Sequence, residues 1–321
     1  MKSLLEKFSS LRVLVIGDVM LDEYVFGDVH RISPEAPVPV LAVESDKHTL
    51  GGAANVAENL VALGAHAELC GRTGADAAGE RLREELKKSA IVYDRRFVGR
   101  HCHTIVKTRV VARRQQLCRL DREGAPSDYA LTAKPLRELL LAKIKTADAV
   151  IFSDYAKGAL DTALVTEMLA KSKGKFRAFD PKPRNLIEAR GFDLITPNRA
   201  EALELAGFHA EAHVAAPTWE VVCKKIHEKY QPKYLVVTLG AEGMLLSAQG
   251  RAPQKIPTYA REVFDVSGAG DTVIAALTLA LAAGASLPDA AHLANTAAGV
   301  VVGKFGTATA TPEEILNYHP Q

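Results

Sequence analysis

Short apolar runs, most of them closed by a polar residue, alternate along this chain with stretches of helical period. That alternation restricts the fold more than any other feature of the sequence. The runs are "RVLVIGD" (12–18), "AELCGR" (67–72), "DAVIFSD" (148–154), "FRAFD" (176–180), "DLITPN" (193–198) and "YLVVTLG" (234–240). Between them stand periodic segments such as "ANVAENLVALG" (54–64), "GERLREELKKS" (79–89) and "LTAKPLRELLLAKI" (131–144). Strands and helices in this order predict an α/β fold, a parallel sheet with helices on both faces. Beyond residue 265 the pattern is mostly helical.

Two segments do not fit. Residues 24–45 are proline-rich and have no helical period, and residues 97–120 are extended, with "HTIVKTRVV" rich in β-branched side chains. Both are read as strands of a small subsidiary sheet, a β lid over a ligand. At 321 residues the chain is expected to be one domain, 1–321, with the lid inserted in it.

Bulk properties exclude several classes. A net charge of +2 gives no reason to expect nucleic acid as a main partner. Glu6 and Lys7 interrupt the apolar part of the N-terminus, which makes it a poor signal peptide. The most apolar run, 273–287, is shorter than the ~18 residues that suggest a membrane span. Cys70, Cys102, Cys118 and Cys223 are far apart, without a Cys-x-x-Cys, and read as reduced thiols. A cytoplasmic protein without a membrane partner is expected.

Polar residues gather where the apolar runs end: Asp18, Asp154, Asp180, Asn198 and Thr238. In open α/β sheets the ligand crevice lies outside those ends. Helix capping explains one or two such residues; five in one topological place favour a site.

The chemistry of that site is suggested by "DVSGAGDT" (265–272), which precedes a strongly helical stretch. Amides of Gly268, Ala269 and Gly270, with the helix dipole behind them, would face an anion. Asp271 would seem to repel that anion. Phosphoryl transfer resolves the conflict, because it needs donors for the transferring group and a base for the attacking hydroxyl in one place. Neither a Gly-x-x-x-x-Gly-Lys-Ser/Thr loop nor a Gly-x-Gly-x-x-Gly after the first strand is present. This argues against a standard P-loop protein and against a dehydrogenase.

Residues 50–86 add a Gly-Gly turn leading into a helix with Asn55 in its first turn, then "GRTGADAAG". Together with "DVSGAGDT" this resembles the ribokinase family of carbohydrate kinases, the PfkB group, over essentially the whole chain. The resemblance implies a ribokinase-like three-layer α/β/α sandwich with a β lid, ATP as phosphate donor, Mg²⁺ as cofactor and, in some members, K⁺. It implies Asp271 as catalytic base and Gly268, Ala269 and Gly270 as the anion hole. Asp22, Gly51, Gly52 and Asn55 match sugar-hydroxyl contacts. Asn198 and Glu201 of "NRAE" match the motif that acts near Mg²⁺ and the nucleotide phosphates. Thr238, Gly240 and Asn295 match nucleotide contacts, and Asp265 and Ser267 match a monovalent-cation site. The family commonly has three residues between the glycine pair and the asparagine; here there are two, Ala53 and Ala54.

"RISPEAPVPV" (31–40), "KTRVVARRQQLCRLD" (107–121) and "FSDYAKGAL" (152–160) further resemble the branch of that family acting on D-glycero-β-D-manno-heptose 7-phosphate, in the synthesis of ADP-heptose for lipopolysaccharide. A chain ending about fifty residues after the GAGD motif would be a stand-alone form of a kinase that is often fused to an adenylyltransferase. A phosphorylated substrate needs a second anion site, for which Lys107, Arg109 and Lys157 are candidates, with Asp154 accepting from sugar hydroxyls. The alternatives are a kinase of another sugar, sugar phosphate or nucleoside, and a non-catalytic sugar-phosphate sensor. A thin lid with apolar residues such as Val38, Val40, Ile105 and Val111 is expected to pair with a second lid in a homodimer.

Overall fold

The computed structural model describes residues 1–113, 115–208, 217–248, 251–260 and 264–318. At its centre is a nine-stranded sheet. From one edge to the other its strands are Gln254–Ile256, Met244–Ala248, Tyr234–Thr238, Leu194–Ile195, Phe176–Asp180, Ala149–Ser153, Arg12–Gly17, His66–Cys70 and Val92–Tyr93. All six apolar runs of the sequence form strands, and these run parallel. The edge differs from the expected parallel sheet. Met244–Ala248 and Gln254–Ile256 are antiparallel additions. Gly240 and Gly243, at φ 61° and 91°, fold the chain straight back after Tyr234–Thr238. A crossover helix has no room in so short a connection, so the partner strand must be antiparallel.

Alternation along Arg12–Gly17 divides the core. Val13 and Val15 join a cluster with helices Ala53–Ala62, Ala269–Ala282 and Leu287–Val302. Leu14 and Ile16 join the opposite cluster with helices Lys134–Thr146, Thr162–Lys171 and Trp219–Tyr230. Both faces of the sheet are therefore covered, and its strands read as unbroken apolar runs. This is a three-layer α/β/α arrangement.

The lid is a second sheet, in the order Pro39–Gly52, Val19–Ile32, Ile105–Ala112, Gln115–Arg122. Its strands reach further toward the core than the expected limits of 24 and 45. A single residue, Asp18, separates Val19–Ile32 from the first core strand, and Pro39–Gly52 runs directly into helix Ala53–Ala62. The lid's inner end is thereby fixed on the mouth of the main sheet. Residues 97–99 leave the lid. Phe97 is buried, and Val98–Gly99 pair with Thr73–Gly74 in a separate two-stranded sheet.

No helix among the described residues is long and apolar enough to cross a membrane. The four cysteines are free, with Cys118 exposed and the others buried.

Candidate active site

Three chain segments meet where helix Ala269–Ala282 begins. Gly268 caps this helix at φ 80°, a conformation that disfavours other residues. A Cβ on Gly268 would stand 2.7 Å from Asn55 Nδ2, so the glycine also makes room for the asparagine. The Ala269 amide donates to the Val266 carbonyl at 3.2 Å. The amides of Gly270 and Asp271 have no backbone acceptor among the described residues. Gly270 is exposed, with open space where a Cβ would project. The turn's amides without a backbone acceptor among the described residues are therefore those of Gly270 and Asp271, not that of Ala269.

Asp271 itself is buried, 5% exposed. Its Oδ2 accepts from Asn55 Nδ2 at 2.7 Å and its Oδ1 from the Tyr155 hydroxyl at 2.6 Å. Burial pushes its pKa up to about 6, against the opposing pull of Tyr155, Asn55 and the Lys182 charge. Asn55 is held in turn by Asn59, whose amide donates to the Asn55 carbonyl at 2.9 Å and side-chain oxygen at 3.3 Å. With two residues after the glycine pair, Asn55 falls on Asp271.

Tyr155 escaped the reading of the sequence. It stands in a loop fixed by Asp18, whose carboxylate accepts from the amides of Tyr155, Lys157 and Ala159 at 2.8, 3.1 and 2.9 Å. Asp18 is thus an anchor. Asp154 is fully buried. Its Oδ1 accepts from the Ala156 amide and from Asn185, its Oδ2 has no partner, and burial pushes its pKa up to about 6. Asp180, nearly buried, is likewise pushed up by burial.

Asn198 and Glu201 form a reciprocal capping box at the start of helix Arg199–Leu205. Glu201 Oε1 also pairs with Lys182. Asn198 is bridged to Thr238 on the neighbouring strand, and Gly240 follows at the edge, so three residues assigned to the nucleotide share one corner. Asn295 is placed otherwise. Its side chain donates to the Pro257 carbonyl at 2.7 Å and holds the 257–259 segment. The Asp265 carboxylate accepts from the amides of Ser267 and Gly306 at 2.9 and 3.2 Å, which ties the glycine turn to the 306 loop.

No group of three or more His, Cys, Asp or Glu among the described residues is arranged to hold a metal ion. The capping-box oxygens accept from each other's backbone amides and from Lys182.

On the lid side, Asp22 is 4% exposed and ion-paired with Arg109 at 2.9 Å. A Cβ on Gly51 would lie 2.9 Å from the Asp22 carboxyl, so glycine is needed there. Lys157 pairs with Glu123. Of the three cations proposed for a second anion site, two are thus engaged. Lys107 has no carboxylate within ion-pair distance among the described residues; its ammonium stands 5.3 Å from the centroid of the Tyr155 ring. Burial lowers its pKa, with Asp22 opposing.

The fold and this cluster define an α/β phosphotransferase of ribokinase type. In structure the chain is similar to Arabidopsis thaliana ribokinase complexed with ribose and ATP (TM-score 0.74, 20% identity, 96% of this chain and 98% of that one). It is also similar to Escherichia coli phosphofructokinase-2 in complex with substrates and products (TM-score 0.75, 19% identity, the same coverage). The sequence profile of the pfkB family carbohydrate kinases matches residues 10–314, and the chain belongs to that family. Among curated relatives, Bifunctional protein HldE of Sodalis glossinidius is 45% identical over 99% of this chain and 64% of its own length. The chain spans 63–65% of the length of the first such relatives.

A reaction that needs Asp271 ionised should lose about tenfold in kcat/KM for each pH unit below about 6. The Tyr155 hydroxyl holds that pKa down, so Tyr155→Phe should move the acid limb of the profile upward. An unmoved limb would separate Tyr155 from the base.

Proposed function

We propose that the protein is an ATP- and Mg²⁺-dependent kinase. It transfers phosphate to the anomeric hydroxyl of D-glycero-β-D-manno-heptose 7-phosphate, giving the 1,7-bisphosphate for ADP-heptose and lipopolysaccharide core synthesis in the cytoplasm. The observation that carries the kinase reading is the Asp271 carboxylate, buried at the first turn of Ala269–Ala282 beside the free amide of Gly270. Its raised pKa, about 6, suits a base working near neutrality. The anomeric oxygen forms its bond to the γ-phosphorus, the bond from that phosphorus to ADP breaks, and the hydroxyl proton passes to Asp271. Amides of Gly270 and Asp271 hold charge that gathers on the transferring group. Asn55 and Tyr155 keep the carboxylate aimed. A bound Mg²⁺ would supply positive charge to the nucleotide phosphates, and Asn198 and Glu201 are the residues that would hold it through water.

Support for the heptose branch comes from the lid segments and from the relatives named HldE. The chain's own contribution to that choice is Lys107. Its desolvation opposes charge, and a sugar phosphate would offset the cost. Arg109 reaches the phosphate only by sharing its guanidinium with Asp22. Lys157 does so only by leaving Glu123.

Assembly follows from the lid. Ile105 and Val111 are buried within the chain, but Ile32, Val43 and Leu120 remain 60%, 64% and 60% exposed. We propose a homodimer in which two lids cover these residues. Light scattering at micromolar concentration should give a dimer mass; a monomer mass counts against the lid pairing.

Asp271→Asn should keep sugar binding and lose turnover by about 10²–10⁴-fold, and activity within a few-fold of the parent removes the base assignment. Lys107→Ala removes a charge-assisted contact worth about 1.5–3 kcal/mol. It should therefore lower kcat/KM for the sugar phosphate roughly ten- to a hundred-fold while sparing KM for ATP. Kinetics with each substrate varied will show it; a loss confined to ATP places the phosphate site elsewhere.

A further inference from the structure

Lys182 follows Asp180, the last residue of Phe176–Asp180, by two positions at the C-terminal mouth of the sheet. Its side chain is 29% exposed and its ammonium pairs with Glu201 Oε1. The same ammonium stands 5.3 Å from the centroid of the Tyr155 ring, whose hydroxyl donates to Asp271. One cation thus connects two separate places, the Asn198–Glu201 corner and the Asp271 carboxylate. Burial opposes its charge, yet Asp180, Glu201 and Asp271 together hold its pKa above the ordinary lysine value. It remains an ammonium at any pH at which the site works.

A phosphoryl group that travels from a nucleotide at the Asn198 corner to a hydroxyl at Asp271 must cross the space between them. Negative charge on its three outer oxygens needs a partner along that path. A lysine ammonium, a compact charge with three rotatable donors on a flexible stem, can follow such a group. We propose that Lys182 exchanges Glu201 for the terminal phosphate of a bound nucleoside triphosphate and stays with that phosphoryl group through transfer. Lys182 neither gains nor loses a proton, and the bonds made and broken are those already given. The inference rests on the kinase reading above.

A lysine kept only to neutralise buried carboxylates would serve nucleoside di- and triphosphates alike. Calorimetric titration of the protein with Mg·ATP and Mg·ADP separates the two roles without turnover. Lys182→Met should bind ADP within about threefold of the parent, lose at least tenfold of the parent's preference for ATP over ADP, and lose about 10²-fold in kcat. A parental ATP-to-ADP ratio, or equal losses for both nucleotides, overturns the proposal. Should Lys182→Met not fold, Lys182→Arg carries the test. It keeps a charge against Glu201 but replaces a mobile ammonium with a planar fork. It should keep ADP affinity and lose at least tenfold in kcat, and a parental kcat overturns the proposal. A parent that binds neither nucleotide refutes the kinase reading and this inference with it, whereas parental turnover in the variants refutes the role of Lys182 alone.

Discussion

A carboxylate held out of water at the start of a helix is the constraint around which this structure is arranged. Asp271 is 5% exposed and accepts from Asn55 and Tyr155, which come from separate segments of the chain. Asn55 is delivered by the glycine pair that ends a lid strand and starts Ala53–Ala62. Tyr155 is delivered by a loop that Asp18 holds through three backbone amides. If any of these supports is lost, a charge remains in a low-dielectric site without its donors, which costs far more than one ordinary hydrogen bond.

The mouth of the sheet concentrates acid beyond what stability favours. Asp18, Asp154, Asp180 and Asp271 all have carboxyl pKa values raised by burial. A carboxyl whose folded pKa is raised adds stability while it is protonated, at pH below the ordinary carboxylate value. That contribution is lost as pH rises through the folded value, about 6 for Asp154 and Asp271. Near neutrality the site is therefore strained electrostatically, and Lys182 offsets part of the strain.

The lid is continuous with the mouth of the main sheet. Its strand Val19–Ile32 is separated from Gly17 by Asp18 alone, and its register places Asp22 beside Lys107 and Tyr24 beside Arg109. Asp22 and Arg109 form an ion pair at 2.9 Å across that sheet. Lys107 has no carboxylate within ion-pair distance among the described residues, and its ammonium stands 5.3 Å from the centroid of the same Tyr155 ring as that of Lys182. The Tyr155 side chain thus meets Lys107 of the lid, Lys182 beyond a core strand and Asp271.

The layers and much of the site were legible in order and composition alone. Six apolar runs became six parallel strands because a strand buried on both faces must be apolar throughout. "GAGD" became the cap of a long apolar helix because only glycine adopts the φ of 80° required at Gly268 without strain. "NRAE" became a capping box because its spacing closes that ring locally. Such features depend on residues close in sequence, where chain geometry leaves few choices. Tertiary structure alone decided who meets whom across long separations. Asn55 and Tyr155 reach Asp271 over 216 and 116 residues, Lys182 pairs with Glu201 on another element, and Arg109 turns inward to Asp22. A tyrosine after a strand end or a lysine in "DPKP" has no local pattern that distinguishes a site residue from a solvated one. Their burial, partners and charge are fixed only when the lid, the sheet mouth and the helix start are packed together and water is excluded from between them.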